Sequence, residues 1–276
     1  MRVSLCCIAR LETLTIKDWV EYHKNKGIYH IYIYDNNDIG DNSLNEILKE
    51  YIDDGFVTIM DVFKGKTSCQ IFSYNHFLGT HYGKDEYDWI GFIDCDEYLD
   101  FTTQELDTPN KLFSYYENNY PLAHIIYINW EMYGDNHQYF FDETKTVTER
   151  FLLPIANETQ KESVHIKSFI KKDTMASFSW NPHMALGQGK FCIMTSDGLI
   201  VPKPTPWVQP YYYRFVKLKH YVTKSLEEYI FRKFNNKCGD NENEFHYTLD
   251  YYWKYNDKTQ EALDALEKLK TKYKIP

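Results

Sequence analysis

The chain has 276 residues, of which 43% are hydrophobic, 26% charged and 17% aromatic, and it contains 25 tyrosines. These proportions are typical of a folded globular protein and exclude a disordered or fibrous chain. The formal net charge of −9 disfavours a general nucleic-acid-binding protein. No apolar run reaches the roughly 18 residues that a membrane span needs, so we expect at most peripheral membrane contact.

Six cysteines are scattered along the sequence without a CxxC spacing. They form neither a zinc-like pattern nor the framework of a disulfide-rich domain, which indicates reduced thiols. The first residues, MRVSLCCIAR, are too short a segment, and charged too early, to be a signal peptide. We therefore expect a cytoplasmic protein, either free or at the inner face of a membrane.

The first hundred residues alternate between strand and helix patterns. Strands are predicted at 3–9, 30–35, 56–62 and 89–94, and helices at 15–27, 43–55 and 68–83. Capping-box spacings at Thr15/Asp18 and Ser43/Glu46 indicate two helix starts, and Gly27 indicates a helix end. The alternation predicts a mostly parallel sheet with right-handed crossovers, and hence an α/β fold.

After residue 100 the regular alternation ends. A helix is predicted from Pro109, strands at 123–129, 147–153, 164–170 and 175–181, and helices at 225–239 and 257–273. Ser225 and Glu228 have capping-box spacing. We predict an α/β domain over residues 1–222 and a helical C-terminal extension over residues 223–276 that packs on it.

Polar side chains follow the predicted strands at the point where each strand ends. Arg10 follows the first strand, Asp35 and Asn36 end the second, and Asp94 and Asp96 end the fourth. In an open α/β sheet, ligands bind beyond the carboxyl ends of the strands. The sequence therefore predicts that these side chains meet at one edge of the sheet. For Asp35, a turn after the strand is the alternative.

The stretch FIDCDEYLDF, residues 92–101, places several acids directly after an apolar run. Neighbouring carboxylates repel one another unless a cation or a water-filled cleft is present. Asp94 and Asp96, at positions i and i+2, suit a hard divalent ion such as Mg²⁺ or Mn²⁺ that completes its shell with water and phosphate. A solvated acidic turn is the alternative.

The segment 203–237 has an excess of positive charge. It holds two acidic residues, Glu227 and Glu228, and eight basic ones: Lys203, Arg214, Lys217, Lys219, Lys224, Arg232, Lys233 and Lys237. This excess indicates an anionic ligand near the segment, or else a solvated basic face.

Several motifs in the same order resemble glycosyltransferases of the nucleotide-sugar-dependent GT-A type. The resemblance covers residues 3 to 237, and is strongest to family 92 and its bacterial family-2-like relatives. The matching stretches are ARLETLTIKDWVEYHKNKGIYHIYIYDNND, DWIGFIDCDEYL, NWEMYG, TERF, HIKSFI and LKHYVTKSLEEY. The resemblance implies a GT-A fold with a DxD motif at the end of a central strand. It also implies a reaction, the transfer of a sugar from a nucleoside diphosphate to a hydroxyl.

The resemblance also assigns roles to positions in this sequence. Asp94 and Asp96 match the DxD motif, with Asp96 as direct metal ligand and Asp94 sharing the metal or holding the ribose. The positions that match nucleotide-binding ones are Arg10, Asp35, Asn36, Gln70 and Asp94.

The stretch HYVTKS, residues 220–225, offers groups that suit a metal and a diphosphate. His220 can bind metal as a neutral imidazole, and Lys224 can act as a point charge on phosphate. Ser225 opens the following helix, whose first amides favour anions. His183, in WNPHMA, is the alternative to His220 as the histidine that contacts the metal or the diphosphate. If it does not have that role, we expect it to be an acceptor-side or structural residue.

An inverting reaction needs a base for the acceptor hydroxyl. We rank Asp135 first, Glu149 second and Glu131 third, because they follow the strand predicted at 123–129. Trp130 and Tyr133 are expected either to stack on the acceptor sugar or to pack in the core.

We therefore expect an inverting glycosyltransferase that uses Mn²⁺ or Mg²⁺ and transfers a hexose from a UDP-sugar. The expected acceptor is a glycan or lipid-linked glycan in surface polysaccharide synthesis. One alternative is a nucleotidyltransferase of the sugar-nucleotide pyrophosphorylase kind, but CIARLETLT lacks the glycine-rich loop that such enzymes need. The other is a non-catalytic nucleotide- or glycan-binding module. Oligomeric state is left open.

Overall fold

A computed structural model describes residues 1–84, 86–156, 160–234 and 248–275. In these ranges nine strands form one curled sheet, and β8 and β9 form a separate pair. The strands are β1 Val3–Ala9, β2 Ile31–Asp35, β3 Val57–Met60, β4 Trp89–Phe92, β5 Glu97–Phe101, β6 Ile125–Tyr133, β7 Ile166–Lys171, β8 Ala176–Phe178, β9 Ala185–Gly187, β10 Ile193–Thr195 and β11 Val216–Tyr221.

Helices cover the faces of the sheet and form the C-terminal part. They are α1 Ile16–Lys26, α2 Ser43–Ile47, α3 Lys49–Asp53, α4 Gln70–His81, α5 Pro109–Asn119, α6 Val147–Arg150, α7 Leu226–Tyr229, α8 Leu249–Trp253 and α9 Gln260–Tyr273. No helix in the described ranges is long and apolar enough to cross a bilayer.

The strand order is β3-β2-β1-β4-β7-β6-β11-β5, with β10 beside β6. β1 to β4 are parallel, as are β6 and β11, whereas β7 runs antiparallel to both β4 and β6 and β5 antiparallel to β11. Most strands therefore end at the same edge of the sheet. The predicted α/β fold is confirmed: a mostly parallel sheet is flanked by helices, and Asp94 and Asp96 follow its central strand β4.

The first strand is buried on both faces, which explains its continuous apolar sequence. Leu5 and Cys7 belong to the same core cluster as Trp19 of α1. Cys6, between them, belongs to a second cluster with Phe77 of α4. The sheet thus separates two hydrophobic layers and fixes the edge at which its strands end.

Two helices begin where they were predicted but lack the predicted capping boxes. The helix predicted at 43–55 is split into α2 and α3, and the Ser43 amide donates to Asp41 instead of Ser43 capping the helix. Thr15 precedes α1 without a side-chain cap, and its hydroxyl accepts a hydrogen bond from Lys224. Asp18 accepts hydrogen bonds from Tyr98 and from the amide of residue 147. Tertiary partners therefore replace the local cap at Thr15 and Asp18, whereas Ser43 has a local partner.

The strand predicted at 147–153 is wrong, because residues 147–150 form α6. Thr146 and Glu149 form a complete capping box at its start, a local signal that outweighs the alternating pattern. The strands predicted at 164–170 and 175–181 are confirmed as β7 and β8. β5, β9, β10 and β11 were not predicted, since they are short or carry alternating charges.

The capping box at Ser225 and Glu228 is confirmed. The helix it starts, α7, continues as a π-helical turn over Ile230–Phe234. Residues 235–239 of the predicted helix lie outside the described residues. Leu226 of α7 packs with Leu266 and Leu269 of α9. The division of the chain at residue 222 stays a prediction.

Burial of His23 predicts a pH dependence of stability. Its Nδ1 lies 2.9 Å from the Trp19 carbonyl oxygen, and burial lowers its pKa to about 3. Between pH 6.5 and pH 3 the unfolded state binds the extra proton, so stability is present at neutral pH and is lost as the pH falls. We expect protonation of His23 in the unfolded state to lower the free energy of unfolding of the wild type by about 2 kcal/mol between pH 7.5 and pH 5.0.

Urea unfolding at the two pH values checks this expectation. His23→Gln should remove that part of the pH dependence, whereas His137→Gln, at an exposed position, should keep it. Equal pH dependence in wild type and His23→Gln would contradict the prediction.

Candidate functional site

A cleft of about 700 Å³ opens where β1, β4, β6 and β11 end. On one side it is lined by residues that follow β1 and β2 or begin α4, which are Arg10, Asn36 and Gln70. Its centre is the turn that joins β4 to β5. Its other side is built by β6, by β11 and the residues after it, and by the segments just before and after β7. The cleft thus lies where ligands of α/β sheets bind.

Asp94 is held from three sides at the centre of the cleft. Its carboxylate accepts hydrogen bonds from Gln70 at 2.7 Å, from Lys167 at 2.7 Å and from the Tyr74 hydroxyl at 3.4 Å. Lys167, on β7, is fully buried. The lysine therefore fixes Asp94 and compensates its charge without a bound ion.

Glu97 is a buried acid beneath Asp94. It accepts a hydrogen bond from the Asp94 amide at 3.0 Å and lies 3.5 Å from the Lys167 nitrogen. Burial raises the pKa of Glu97 well above its ordinary value; Lys167 opposes this effect, and Asp94 and Asp96 add to it. Burial thus disfavours the charged form of Glu97, and Lys167 is the neighbouring cation that offsets this effect.

Asp96 lies beside three basic groups. The pairing of β11 with β5 places His220 opposite Glu97, and Nε2 of His220 lies 3.5 Å from the Asp96 carboxylate. Arg232 at 3.5 Å and Lys233 at 3.6 Å are the other two. Burial raises the pKa of Asp96, but Lys233, His220 and Arg232 lower it well below its ordinary range. Asp96 is therefore ionised.

Asp96 and His220 are a donor pair that suits a divalent cation. Burial lowers the pKa of His220 despite Asp96, so its neutral, metal-binding form is favoured. The described part of the chain has no group of three or more His, Cys, Asp or Glu residues able to hold a metal. The two donors fit an ion of the Mg²⁺ or Mn²⁺ type, which takes one or two protein carboxylates and completes its shell with water and phosphate.

Arg232 and Lys233 were not singled out in the sequence. They lie on the π-helical turn after α7, and both line the cleft. Arg232 also pairs with Glu12, and the Lys233 ammonium donates to the Val222 carbonyl at 2.6 Å. The excess of positive charge in segment 203–237 indicates an anionic ligand near these residues. The spacing of the basic residues along the chain does not show which of them line the cleft.

Lys224 and Ser225 lie outside the cleft. The Lys224 ammonium is buried, donates to the Thr15 hydroxyl at 2.6 Å and lies 3.6 Å from Glu12. Burial lowers its pKa. The Ser225 hydroxyl is bound to Glu228 in the capping box. Their assignment to the diphosphate stays a prediction, and these contacts give both residues structural partners.

The nucleotide-binding candidates divide into two groups. Arg10, Asn36 and Gln70 line the cleft, and Arg10 donates to the Asn36 carbonyl at 2.7 Å. Asp35 is buried against Lys64 at 2.6 Å and accepts from the amide of residue 37 at 2.8 Å. Asp35 thus makes the turn that was the alternative for it.

Trp130, His183 and His220 line the opposite side of the cleft. The Trp130 ring lies 4.8 Å from His183 and 4.2 Å from His220, measured between ring centroids. Tyr133 is not among the lining residues; its hydroxyl donates to Glu131 at 2.7 Å. Both histidines therefore contact Trp130 on the same side of the cleft, so the structure does not require a choice between His183 and His220.

The three acids proposed as catalytic base have partners elsewhere. Asp135 accepts from Tyr252, Glu131 pairs with Lys217 at 2.7 Å, and Glu149 caps α6 at the surface. None of them is among the described residues that line the cleft. Their catalytic role stays a prediction that these positions do not support.

Glu162 is an acid of the cleft that the sequence did not indicate. It lies on a 3₁₀ helix before β7, pairs with Lys254 at 2.7 Å and lies 3.4 Å from His165. All three of these residues line the cleft. The surrounding sequence, QKESV, has no motif that distinguishes it from an ordinary surface helix.

The mostly parallel α/β sheet, with a carboxylate-lined cleft after its central strand, agrees with the GT-A fold that the sequence resemblance implies. The sequence model of glycosyltransferase family 92 matches residues 3–263. The chain therefore belongs to glycosyltransferase family 92.

Two plant proteins of this family are among the similar sequences. A family 92 protein of Arabidopsis thaliana is 29% identical over 137 residues, which are 48% of this chain and 21% of that protein. One of Ricinus communis is 29% identical over 101 residues, 37% of this chain and 17% of that protein. The matches thus span about a fifth of the length of these relatives.

Among solved structures, residues 1–349 of S. aureus TarS in complex with UDP are similar at a TM-score of 0.36 and 12% identity, over 62% of this chain and 47% of that one. A 4-diphosphocytidyl-2C-methyl-D-erythritol synthase is similar at a TM-score of 0.35 and 7% identity, over 63% of this chain and 76% of that one.

Proposed function

We propose that the protein transfers a sugar from a nucleoside diphosphate sugar to a hydroxyl of a glycan. The observation that carries this proposal is the grouping of Asp96, His220, Arg232 and Lys233 within one cleft of a family 92 chain. A carboxylate and an imidazole beside two buried cations suit a diphosphate with its metal ion. A binding module has no need of such a costly buried charge cluster.

The two sides of the cleft suit the two substrates. Arg10, Asn36 and Gln70 offer hydrogen-bonding groups for the nucleotide on the side of β1 and β2. Arg232 and Lys233, which lie beside Asp96, would bind the diphosphate. A bound Mn²⁺ or Mg²⁺, held by Asp96 and His220, would neutralise charge on the departing diphosphate. UDP is the proposed nucleotide, and a hexose the proposed sugar.

Glu162 is the base that we propose for an inverting transfer. Glu162 lies on the side of the cleft that Trp130, His183 and His220 line, opposite the side proposed for the nucleotide. The acceptor oxygen would attack the anomeric carbon while the bond from that carbon to the diphosphate oxygen breaks, and Glu162 would take the hydroxyl proton. Arg232 and Lys233 would stabilise the charge that develops on the leaving diphosphate. The acceptor would be a glycan or lipid-linked glycan of a surface polysaccharide.

Calorimetry with UDP, GDP and CDP, each with and without Mn²⁺, tests the nucleotide part of this proposal. We expect UDP to bind, and Mn²⁺ to bind weakly alone but tightly with UDP, because the proposed protein donors are only the pair Asp96 and His220. Release of UDP from UDP-glucose and UDP-galactose would then show the bond cleavage. Failure of all three diphosphates to bind would contradict the proposal, and binding without cleavage, with or without oligosaccharides, would favour a binding module.

A further inference from the structure

A row of aromatic rings leads from the centre of the cleft to the surface. This aromatic strip consists of His220, Trp130, His165, Trp207 and Trp180. Its successive ring centroids are 4.2, 5.0, 6.2 and 6.0 Å apart. The inner three residues line the cleft. The strip therefore continues the aromatic side of the cleft out to solvent.

The outer end of the strip is exposed, and one of its two tryptophans is held in place. Trp180 is 60% exposed and Trp207 49% exposed. The Trp207 indole nitrogen donates to Nε2 of His165 at 2.9 Å, and the two backbones form a β-bridge. Adjacent exposed indoles beside a cleft mark a binding surface more often than a single exposed apolar residue does. Because Trp207 is already held in place, little entropy would be lost there when a ligand binds.

The inner end of the strip carries polar atoms that lack hydrogen bonds. Trp130 is only 7% exposed. Its Nε1, Nδ1 of His183 and Nδ1 of His220 are buried and have no partner within the described ranges. Buried polar groups of proteins are nearly always hydrogen-bonded, and exceptions need an explanation. Three such atoms on one side of one cleft indicate a ligand with several hydroxyl groups.

We propose that the aromatic strip binds the acceptor, and that the acceptor is a glycan of more than one sugar. Its outer sugar rings would stack on Trp180 and Trp207. The hydroxyls of its inner sugar would bond to Trp130 and His183, with one hydroxyl near Glu162. This inference rests on the proposed glycosyl transfer.

The chemistry of the strip favours a glycan over a lipid chain or an apolar peptide. Sugar rings present apolar C–H faces to aromatic rings and hydroxyls at their edges. An aliphatic chain would cover the indoles, but would leave Trp130 Nε1 and the histidine nitrogens without partners. Aromatic rings and polar atoms lie side by side along the strip, which matches the apolar faces and the edge hydroxyls of a saccharide.

Saturation-transfer NMR with the UDP-loaded protein tests the inference. The probes are methyl glycosides and linear trisaccharides of glucose, galactose, mannose and N-acetylglucosamine. We expect at least one trisaccharide to bind, and to bind more tightly than its methyl glycoside. Trp180→Ala should weaken it about fivefold, and Trp180→Ala with Trp207→Ala more than tenfold. Phe140→Ala, which removes an exposed aromatic residue away from the cleft, is the matched control.

UDP affinity, measured on the same samples, separates this inference from the proposed function. It should be unchanged in every variant, which would also show that the variants are folded. If no probe binds to the UDP-loaded wild type, or if the tryptophan variants bind as the wild type does, the acceptor inference is wrong. If UDP, GDP and CDP all fail to bind the wild type, the proposed function is wrong.

Discussion

Asp96→Asn is expected to lower glycosyl transfer by a factor of about 10² or more while the protein stays folded. Asp96 is the carboxylate nearest to His220, and the two form the proposed metal pair. It is also the anion that faces Arg232 and Lys233. Its loss should abolish the effect of Mn²⁺ on UDP affinity, because one of the two protein donors is gone.

The same variant should bind UDP more tightly than the wild type when no metal is present. Arg232 and Lys233 would no longer face a competing carboxylate, and one charge at this distance is worth about 1 kcal/mol in water, or roughly a fivefold change in affinity. Calorimetry with UDP, with and without Mn²⁺, measures both effects. A variant that keeps wild-type turnover and its response to Mn²⁺ would rule out the proposed role of Asp96.

Asp100→Asn is the matched control for Asp96→Asn. It changes an acid of the same short segment, but Asp100 lies at the end of β5 and pairs with Lys219 at 3.2 Å and Lys217 at 3.8 Å. Partly exposed pairs of this kind contribute about 0–1 kcal/mol. We expect its turnover and its UDP affinity to stay within about twofold of wild type, since 1 kcal/mol of stability does not alter the cleft.

Lys167→Met is expected to lower the free energy of unfolding by about 3 kcal/mol. Lys167 is fully buried, with its ammonium 2.7 Å from Asp94 and 3.5 Å from Glu97. Without it, a buried acidic pair loses its counterion, which typically costs about 3–5 kcal/mol. We expect the lower end of this range, because Asp94 keeps part of its contact with solvent. Urea unfolding at pH 7 measures the change.

Lys171→Met is the control on the same strand. Lys171 pairs with Glu117 near the surface, so its loss should cost at most about 1 kcal/mol. Asp94→Asn in the Lys167→Met background should recover most of the lost stability, because the uncompensated charge is removed as well. Equal stability of Lys167→Met and Lys171→Met would show that the buried lysine does not compensate the acids.

The sequence predicts well those features that depend on nearest neighbours along the chain. The strands of the first hundred residues are recognisable because burial on both faces requires continuous apolar sequence, as in β1. The convergence of Arg10, Asn36 and Asp96 follows from the rule that parallel strands end at one edge. The capping box at Ser225 is correct because its partner, Glu228, lies within the same turn.

What the sequence did not predict depends on distant partners. Thr15 has the spacing of a helix cap but binds Lys224, which lies 209 positions further along the chain. Lys167 neutralises Asp94 because β7 lies beside β4, a pairing that no local pattern shows. Asp135 follows a strand, as the prediction required, but Tyr252 of α8 occupies its carboxylate.

The position of β7 has a consequence for the order of folding events. β1 to β4 are contiguous in sequence, apart from their crossovers, whereas β7 must enter between β4 and β6 after both have been synthesised. Pairings of such large sequence separation form slowly. Lys167 arrives with β7, so Asp94 and Glu97 have no buried counterion until the sheet closes. The pairing that completes the sheet is therefore also the one that brings Lys167 to Asp94, so the charge balance of the cleft depends on closure of the sheet.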